Sequence, residues 1–365
     1  MKIAFDSQAF TIQEYGGISR YISSLAQHLS TSPEIEARIF AHLHINAYLE
    51  FLPRNLVSGV RVPRLPKTGR AISSINQLLA RVAINRFNPQ ILHETYFSNI
   101  SSTPKGARSV VTVYDMIHEL FAAEFPKHDQ TSKLKRIATQ RADHVICISE
   151  STRTDLLDIF NLPKEKVSVV YLGFDSLILA KSIDEYRESK PYLLYVGQRR
   201  GYKNFDGFLQ AYASSSRLQS HFNIVCFGGG AFTENEKKLF SALNLSETQV
   251  LQISGSDNKL GSCYSKAALF VYPSLYEGFG IPPLEAMSLG CPVACSNNSS
   301  IPEVVGNAAE YFDAKDTESI REALERVLNS DLRRNELISF GKLRCAEFSW
   351  QRCARETLDV YRNLM

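Results

Sequence analysis

The chain has 365 residues and a formal net charge of +3, and 44% of its residues are hydrophobic against 22% that are charged. This length exceeds one ordinary hydrophobic core and predicts two domains, while the composition excludes a disordered chain. The small net charge argues against nucleic acid as a partner, and the lack of a run of about 18 apolar residues predicts no membrane span.

The first residues and the cysteines both predict a cytoplasmic protein. The opening sequence, MKIAFDSQAF, reaches Asp6 too early for a signal peptide and is typical of a first strand. The seven cysteines are odd in number and scattered, and they contain no C-x2-C pair. We therefore expect buried thiols in a reducing compartment, and neither a disulfide framework nor a metal site made of cysteines.

Short apolar segments alternate with helical patterns through the first half, which predicts a parallel sheet with helices on both faces. The predicted strands are residues 2–6, 38–41, 91–93, 109–114, 144–148 and 167–171. A long loop after the first strand ends at Gly16 and Gly17, just before a predicted helix at residues 18–29. Because this pair lacks the spacing of G-x-G-x-x-G, a flexible turn and a ligand-binding role both stay open.

Residues 54–86 are strongly basic, because no acidic residue occurs between Glu50 and Glu94. The basic residues are Arg54, Arg61, Arg64, Lys67, Arg70, Arg81 and Arg86. The helix predicted at residues 71–87 has apolar residues at Ile72, Ile75, Leu78, Leu79, Val82 and Ile84. This combination fits a helix lying on an anionic membrane surface, such as the inner face of the cytoplasmic membrane. It fits equally a core-facing stripe surrounded by solvated arginines, so both interpretations stay open.

Three polar residues lie at the carboxyl end of the predicted strand at residues 109–114. Tyr114 ends the strand, and Asp115 and His118 follow it, at the sheet edge where binding sites of such folds accumulate. His93 ends a different predicted strand and competes with His118 for the same role. A histidine at the end of a strand is often only solvated, and that alternative also stays open.

The polar, weakly periodic stretch at residues 181–190 is the predicted linker between a first domain, residues 1–180, and a second, residues 181–345. Strands are predicted there at residues 192–196, 223–227, 250–253, 269–272 and 293–296. The sequence therefore predicts two doubly wound α/β units in tandem. Residues 346–365 contain a final helix that begins near Trp350 and has Ser349 as its N-cap.

Two loops of the second domain contain the residue types that bind anions and hydroxyl groups. Arg199 and Lys203 lie four residues apart in a glycine-flanked loop between a strand and a helix. Residues 269–296 read as a strand, a loop with Gly278 and Gly280, and a helix opened by two prolines, which leaves unpaired amides at a strand's carboxyl end. Glu277 and Glu285 flank that site, and one interpretation is that they accept hydrogen bonds from sugar and ribose hydroxyls. The other is that Glu277 is a solvated loop residue and Glu285 a first-turn acid favoured by the helix dipole, and the two residues alone favour this second interpretation.

The string PSLYEGFGIPPLEAMSLGCPV closely resembles the signature of the family 4 retaining glycosyltransferases, and VGQRRGYKN resembles the family's V-G-x-R-x-x-Y-K-N. The resemblance covers nearly the whole chain and is most specific from Tyr192 to Glu303. It implies the α/β fold called GT-B, in which two Rossmann-like doubly wound domains face a central cleft and the C-terminal helix crosses back to the first. The resemblance also implies that the first domain is the acceptor side and that the second binds the nucleotide sugar. The compact length and the segment at residues 114–118 resemble bacterial mannosyltransferases of surface polysaccharide (O-antigen, lipopolysaccharide) synthesis.

The resemblance also implies roles for individual residues. Arg199 and Lys203, after Gly197, would neutralise the donor diphosphate, which Gly16 and Gly17 approach with their backbone. Glu277 and the amides of Phe279, Gly280 and Ile281 would hold the donor sugar, and Glu285 the ribose. Many relatives have a His-Asp pair where this chain has Tyr114 and Asp115, so His118 would replace the missing sugar contact.

The expected reaction is metal-independent hexosyl transfer from a nucleotide diphosphate sugar to a glycan or lipid-linked oligosaccharide. No D-x-D occurs in the chain, so the usual carboxylate clamp for a divalent metal is missing and cationic side chains and amides must neutralise the diphosphate. GDP-mannose is the first choice of donor, UDP-linked hexoses come next, and no cofactor is expected. The alternatives are a GT-B nucleotide-sugar epimerase and a non-catalytic sugar-nucleotide-binding module.

Overall fold

The computed structural model describes residues 1–63, 69–175, 188 and 190–365. They form two compact units, one comprising Met1–Gly173 with Ser349–Met365 and the other Phe174–Phe348. The predicted domain boundary at residue 180 lies outside the described residues, and so does the predicted linker apart from Glu188 and Lys190. Those two boundaries therefore stay predictions.

The first unit is built on a parallel sheet of seven strands. The strands are β1 (Lys2–Phe5), β2 (Glu36–His44), β3 (Val57–Arg61), β4 (Ile91–Glu94), β5 (Arg108–Val113), β6 (His144–Cys147) and β7 (Val167–Val169). The helices are α1 (Gln8–Ile12), α2 (Gly17–Leu29), α3 (Gly69–Phe87), α4 (Ile117–Leu120), α5 (Thr131–Arg141) and α6 (Glu150–Phe160). The strand order β3-β2-β1-β4-β5-β6-β7 reverses direction between β1 and β4, which makes this the topological switch point of the sheet.

The second unit repeats this architecture with six parallel strands in the order β10-β9-β8-β11-β12-β13. The strands are β8 (Tyr192–Val196), β9 (Asn223–Phe227), β10 (Val250–Ile253), β11 (Leu269–Tyr272), β12 (Val293–Ser296) and β13 (Glu310–Phe312). The helices are α7 (Phe205–Ala213), α8 (Ser216–His221), α9 (Glu234–Ala242), α10 (Asp257–Lys266), α11 (Ile281–Ser288), α12 (Ile301–Val305), α13 (Thr317–Leu328) and α14 (Asp331–Cys345). The prediction of two Rossmann-like α/β units is confirmed.

The last helix, α15 (Trp350–Arg362), belongs to the first unit. Its N-cap Ser349 accepts a hydrogen bond from the Arg352 amide at 3.2 Å, as the sequence predicts. On its buried face, the Tyr361 hydroxyl lies 2.5 Å from His93 Nδ1. Complete burial lowers the pKa of His93 to about 3, so this imidazole is neutral. His93 is thus fully buried in the core and is not available for contact with a ligand.

Helix α3 buries part of its predicted apolar stripe, because Ile84 packs in the core beside Ala80 and Phe87 whereas four other positions do not. Asn76 is fully buried, and its side-chain amide both donates to and accepts from the backbone of Leu43, at 2.7 and 2.8 Å. These two bonds satisfy the buried amide group. Four of the predicted positions are exposed by 43–69%, and the core-facing interpretation is wrong for them. They are Ile75, Leu78, Leu79 and Val82.

The basic residues of segment 54–86 lie in different environments. Arg61 forms ion pairs with Glu14 and Glu50, so its charge is already compensated. Arg54, Arg81 and Arg86 are exposed. Two others, Arg64 and Lys67, lie outside the described residues, as does the side chain of Arg70. Among the helices that the structure describes, none combines the length and the apolarity needed to cross a membrane.

Candidate active site

In the second unit, the loop after β8 begins at Gly197, whose φ of +119° allows the chain to turn sharply. Arg199 follows, and 2% of its side chain is exposed. Its Nε donates to Glu236 Oε1 at 2.7 Å, and its two terminal nitrogens donate to the carbonyl oxygens of Gly228 and Gly230 at 2.9 Å each. Arg199 therefore lies at the predicted loop, but its donors hold the neighbouring loop between β9 and α9.

Three successive glycines make that neighbouring loop possible. Gly228, Gly229 and Gly230 all have positive φ, and a Cβ atom on Gly229 would lie 2.5 Å from an Arg199 guanidinium nitrogen. Glu236 completes the arrangement from the first turn of α9, where it forms a capping box with Thr233. Desolvation opposes ionisation of Glu236, but hydrogen bonds from Thr233 and Arg199 outweigh it and lower the pKa of this carboxyl.

Lys203 and Glu277 were predicted separately, and the structure brings them together. Lys203 Nζ lies 2.6 Å from Glu277 Oε1, with 21% and 10% of the two side chains exposed. The loop of Glu277 also contacts the loop of Lys203 through the Leu275 amide, which donates to the Tyr202 carbonyl at 2.7 Å. Two loops at the carboxyl ends of neighbouring strands, β8 and β11, thus present a cation and a carboxylate at one place.

Two serines that sequence reasoning missed fix the Glu277 loop. The Glu277 amide donates to Ser299 Oγ at 2.8 Å, and Ser300 Oγ lies 2.8 Å from both the Glu277 and Phe279 carbonyl oxygens. Both serines follow the carboxyl end of β12 in the run SNNSS. Hydroxyl groups placed directly after a buried parallel strand are the signal that would have found them.

The glycine loop leads into α11 through Gly280, whose φ is +116°. Ile281 begins the helix, so its amide belongs to the first turn, which has no intrahelical acceptor. Phe279 is buried, and its ring packs edge-on against Phe348. The loop and helix start are therefore built as the sequence predicts, with backbone at the carboxyl end of β11.

Glu285 lies on α11 and is 8% exposed. The Tyr264 hydroxyl donates to Glu285 Oε2 at 3.4 Å. Burial, reinforced by the charge of Glu285, holds the pKa of Tyr264 well above its ordinary value, so the phenol keeps the proton that it donates. Tyr264 thereby fixes the orientation of the carboxylate that we predict to bind ribose.

In the first unit, Gly16 is the N-cap of α2 and Gly17 its first residue. Gly16 has an extended φ of −178°, a conformation that any residue adopts. A Cβ atom on Gly17 would meet no atom within 4 Å, so the space in front of this backbone is open. The φ of Gly16 does not require glycine, but a Cβ atom there would lie 1.6 Å from Gln13 Oε1, whereas at Gly17 only close approach of a ligand would require glycine.

Asp115 and His118 lie beyond β5, and both side chains have neighbours in the same unit. Asp115 Oδ1 accepts from the Ile117 amide at 3.0 Å. The His118 ring stacks on Phe125 with 4.0 Å between ring centroids. Tyr114 is buried, and its hydroxyl donates to the Thr95 carbonyl at 3.0 Å. Tyr114 is thus part of the core of the first unit. That Asp115 and His118 contact a sugar stays a prediction.

Among the described residues, no group of three or more His, Cys, Asp or Glu side chains is arranged to hold a metal ion. Six of the seven cysteines are buried, as the sequence predicts.

Comparison with known proteins assigns both halves of the chain. Residues 15–176 match the family model "Glycosyltransferase Family 4", and residues 180–344 match "Glycosyl transferases group 1". O-antigen chain mannosyltransferase B of Escherichia coli is 26% identical over 391 residues, covering 100% of both chains.

Two solved structures share the fold. Sucrose-phosphate synthase from Thermosynechococcus elongatus has a TM-score of 0.76 at 17% identity, covering 100% of this chain and 98% of its own. Anabaena HepE in complex with UDP and glucose has a TM-score of 0.70 at 14% identity, covering 100% of both chains. Because the two family matches together span most of the chain, and each half has the expected parallel sheet, the protein belongs to the GT-B glycosyltransferases, with a Family 4 first half and a group 1 second half.

Proposed function

We propose that the protein is a retaining mannosyltransferase of O-antigen synthesis. It would move mannose from a nucleotide diphosphate sugar, with GDP-mannose as first choice, to a hydroxyl of a glycan or lipid-linked oligosaccharide. The observation that carries this proposal is the Lys203–Glu277 pair, 2.6 Å apart beside the start of α11. The end-to-end alignment with an O-antigen chain mannosyltransferase supports the choice of mannose.

The proposed reaction needs no nucleophile from the protein. The bond between the sugar C1 and the diphosphate oxygen breaks, and the acceptor oxygen bonds to C1 on the same face. The acceptor proton passes to an oxygen of the departing diphosphate, so the products are the glycoside and a protonated nucleoside diphosphate. Lys203 stabilises the charge that develops on the diphosphate, and Glu277 accepts hydrogen bonds from the sugar hydroxyls. Glu285, held by Tyr264, accepts from the ribose.

The contact between Lys203 and Glu277 fits these two roles, charge stabilisation by Lys203 and sugar binding by Glu277. Each side chain holds the other in place before the donor arrives, so little reorganisation is needed when charge develops. The loop of Glu277 is itself fixed by Ser299 and Ser300. Arg199 supports the site by holding the β9–α9 loop in position.

Donor choice is tested by incubating the purified protein with GDP-mannose, UDP-glucose and UDP-galactose, each with and without EDTA. We expect the largest thermal stabilisation with GDP-mannose, and transfer that persists in EDTA because the chain has no D-x-D motif. Larger stabilisation by a UDP-sugar would contradict the donor assignment, and loss of transfer in EDTA would contradict metal independence.

The class of reaction is tested by nuclear magnetic resonance on the same mixtures. Donor without acceptor is expected to stay unchanged or to hydrolyse slowly, and product formed with acceptor is expected to keep the anomeric configuration of the donor. Interconversion of free nucleotide sugars would instead identify an epimerase. An inverted product would contradict the same-face mechanism, and neither hydrolysis nor transfer with any donor would favour a binding module.

We also propose that the exposed face of α3 lies on an anionic membrane. Leu78 and Val82 are exposed by 69% and 65%, and the exposed Arg81 lies between them in the sequence. Apolar side chains can insert at the lipid boundary while arginines contact anionic headgroups, each contributing about 1 kcal/mol near the surface. A lipid-linked acceptor would be presented at the same surface.

The variant Leu78→Gln/Val82→Gln is expected to bind vesicles of phosphatidylglycerol and phosphatidylcholine at least tenfold more weakly than the natural protein, because burial of each side chain contributes about 1.5–3 kcal/mol. Cosedimentation measures this binding. The matched control Leu332→Gln/Leu343→Gln changes two leucines of the second unit that are each exposed by 72% and should bind normally. Equal binding by both double variants would contradict the proposal.

A further inference from the structure

The buried strand β11 ends in Tyr272, which is 4% exposed. The hydroxyl group of Tyr272 hydrogen-bonds to the side chain of Glu277 in the loop that follows the strand. Burial, reinforced by the charge of Glu277, raises the pKa of Tyr272 well above its ordinary value, so the phenol keeps its proton and is the donor in this bond. Phenylalanine would fill the same space in the core, so the hydroxyl group acts on Glu277 and not on the packing of the strand.

Residues 273–276 lead the chain back toward the end of the strand that they leave. The Ser274 carbonyl oxygen accepts from Ser296 Oγ at 2.6 Å, and Ser296 is the last residue of the neighbouring strand β12. Together with the serine contacts of the Glu277 loop described above, this bond fixes the loop backbone without help from the tyrosine. Loss of the Tyr272 hydroxyl should therefore release the Glu277 carboxylate and leave the backbone in place.

Glu277 is thus held by two donors of different kinds. Lys203 Nζ lies 2.6 Å from Glu277 Oε1, and 21% of the lysine side chain is exposed, so a ligand can reach it. Tyr272 belongs to the core and does not move with a ligand. A carboxylate has about four lone-pair positions, so Glu277 keeps acceptor capacity for sugar hydroxyls after it accepts from both donors. Tyr272 therefore keeps the carboxylate oriented when the lysine turns to the diphosphate.

Two buried tyrosines hold the two carboxylates of the candidate site in the same way. The Tyr264 hydroxyl donates to Glu285 Oε2 at 3.4 Å, as the Tyr272 hydroxyl donates to Glu277. The Phe270 ring lies between the two tyrosines, with its centroid 5.3 Å from that of Tyr264 and 5.8 Å from that of Tyr272. Because core side chains are close-packed, these three rings form one rigid support below both carboxylates.

We propose that Tyr272 is a positioning residue for sugar transfer, which orients Glu277 toward the sugar hydroxyls through its phenol hydroxyl. The proposal rests on the glycosyltransferase function proposed above. It adds that the two tyrosines act on different ends of the donor, Tyr272 on the sugar through Glu277 and Tyr264 on the nucleotide through Glu285. Orientation of the sugar matters most in the transition state, so loss of the Tyr272 hydroxyl should lower kcat and spare nucleotide binding.

The test compares Tyr272→Phe and Tyr264→Phe with the control Tyr212→Phe. Tyr212 is fully buried and its hydroxyl donates to the Phe222 carbonyl at 2.7 Å, so the control also removes one buried hydrogen bond, away from the candidate site. Tyr272→Phe is expected to lower kcat about tenfold, the loss typical of one hydrogen bond to a charged group, and to change the affinity for GDP or UDP less than twofold. Tyr264→Phe should weaken that affinity about 5–10-fold. The control should lose thermal stability and keep both kcat and nucleotide affinity.

Steady-state transfer at saturating donor measures kcat, and isothermal titration calorimetry with GDP and with UDP measures nucleotide affinity. Both use the full chain. A Tyr272→Phe enzyme with kcat within twofold of the natural one would overturn the proposal. Equal losses of kcat and nucleotide affinity in that variant, or the same pattern in both tyrosine variants, would also overturn it, because a merely structural role predicts them.

A double variant, Tyr272→Phe/Glu277→Ala, tests whether the tyrosine acts through the carboxylate. Once Glu277→Ala has removed the carboxylate, loss of the hydroxyl should lower kcat by no more than about twofold further, whereas independent effects would multiply and contradict the proposal. If Glu277→Ala is inactive, the split between kcat and nucleotide affinity in Tyr272→Phe decides alone. Natural transfer by the Tyr272→Phe enzyme would reject only the role of Tyr272, whereas no transfer by the natural protein from any donor would reject the proposed function.

Discussion

Replacement of Lys203 by alanine is expected to lower kcat by a factor on the order of 10²–10³, the usual loss when one preorganised charge donor is removed. Lys203 Nζ lies 2.6 Å from Glu277 Oε1, and 21% of its side chain is exposed, so it is reachable by a ligand and already held in place. Charge on the departing diphosphate would then lose its nearest proposed cation. Steady-state transfer at saturating donor measures the effect.

The loss of Lys203 also leaves Glu277 without its cation, and this second effect has to be separated from the chemistry. The double variant Lys203→Ala/Glu277→Gln removes the unpaired charge and should recover thermal stability but not kcat. Lys238→Ala, at an exposed lysine of the same unit, serves as the matched control and should keep full activity. A Lys203→Ala enzyme with kcat within threefold of the natural one would exclude the proposed role.

Arg199→Ala is expected to destabilise the second unit by about 3–5 kcal/mol, because removing one partner of a buried ion pair leaves the other uncompensated. Only 2% of the Arg199 side chain and 10% of the Glu236 side chain are exposed. The variant also takes hydrogen bonds from the carbonyl oxygens of Gly228 and Gly230. Calorimetric unfolding of the full chain measures the loss.

The same variant decides how Arg199 acts. If it acts by holding the β9–α9 loop, turnover should fall together with stability, and Arg199→Lys should recover part of both. If it contacts the diphosphate directly, turnover should fall by 10²–10³ at temperatures where the variant is fully folded. The neighbouring Arg200 is exposed, and Arg200→Ala should change stability by no more than about 0.5 kcal/mol. An Arg199→Ala protein with unchanged stability would contradict the arrangement described here.

The sequence predicted the strands that have both faces covered, because such strands form continuous apolar runs with clear ends. Two edge strands were missed because they lack such a run. β3 lies at one sheet edge with its last three residues exposed, and β13, at an edge of the other sheet, has only three residues. β3 exposes three of its five residues and β13 buries only Phe312, so neither gives a continuous apolar run.

Periodicity left open whether the apolar stripe of α3 faces the core, and within that stripe Ile84 is fully buried, beside Ala80 and Phe87. The buried face also includes Asn76, a polar residue whose partner is the backbone of Leu43, 33 positions earlier. A contact of that kind depends on where the sheet places Leu43, so no local pattern reports it. By contrast, Ser349 as the N-cap of the last helix acts on an amide three residues away, and local sequence sufficed.

The same distinction applies to the candidate site. The glycines, prolines and acidic residues of the 269–296 segment determine the conformation of their own loop, so the sequence alone predicted where they lie. The sequence did not predict the direction of the Arg199 guanidinium, because its partners, Glu236 and the Gly228–Gly230 carbonyls, come from another strand and helix. Lys203 and Glu277 lie 74 positions apart, and only the adjacency of β8 and β11 brings them together.

The assignment of α15 to the first unit has a consequence for synthesis on the ribosome. Phe174–Phe348 must be translated before Ser349–Met365 can emerge. At about 5–20 residues per second, the 175 residues from 174 to 348 take roughly 9–35 s. During that interval the nascent first unit lacks the helix that contacts His93 and Tyr21, and its last packing step waits until residues 349–365 have been translated.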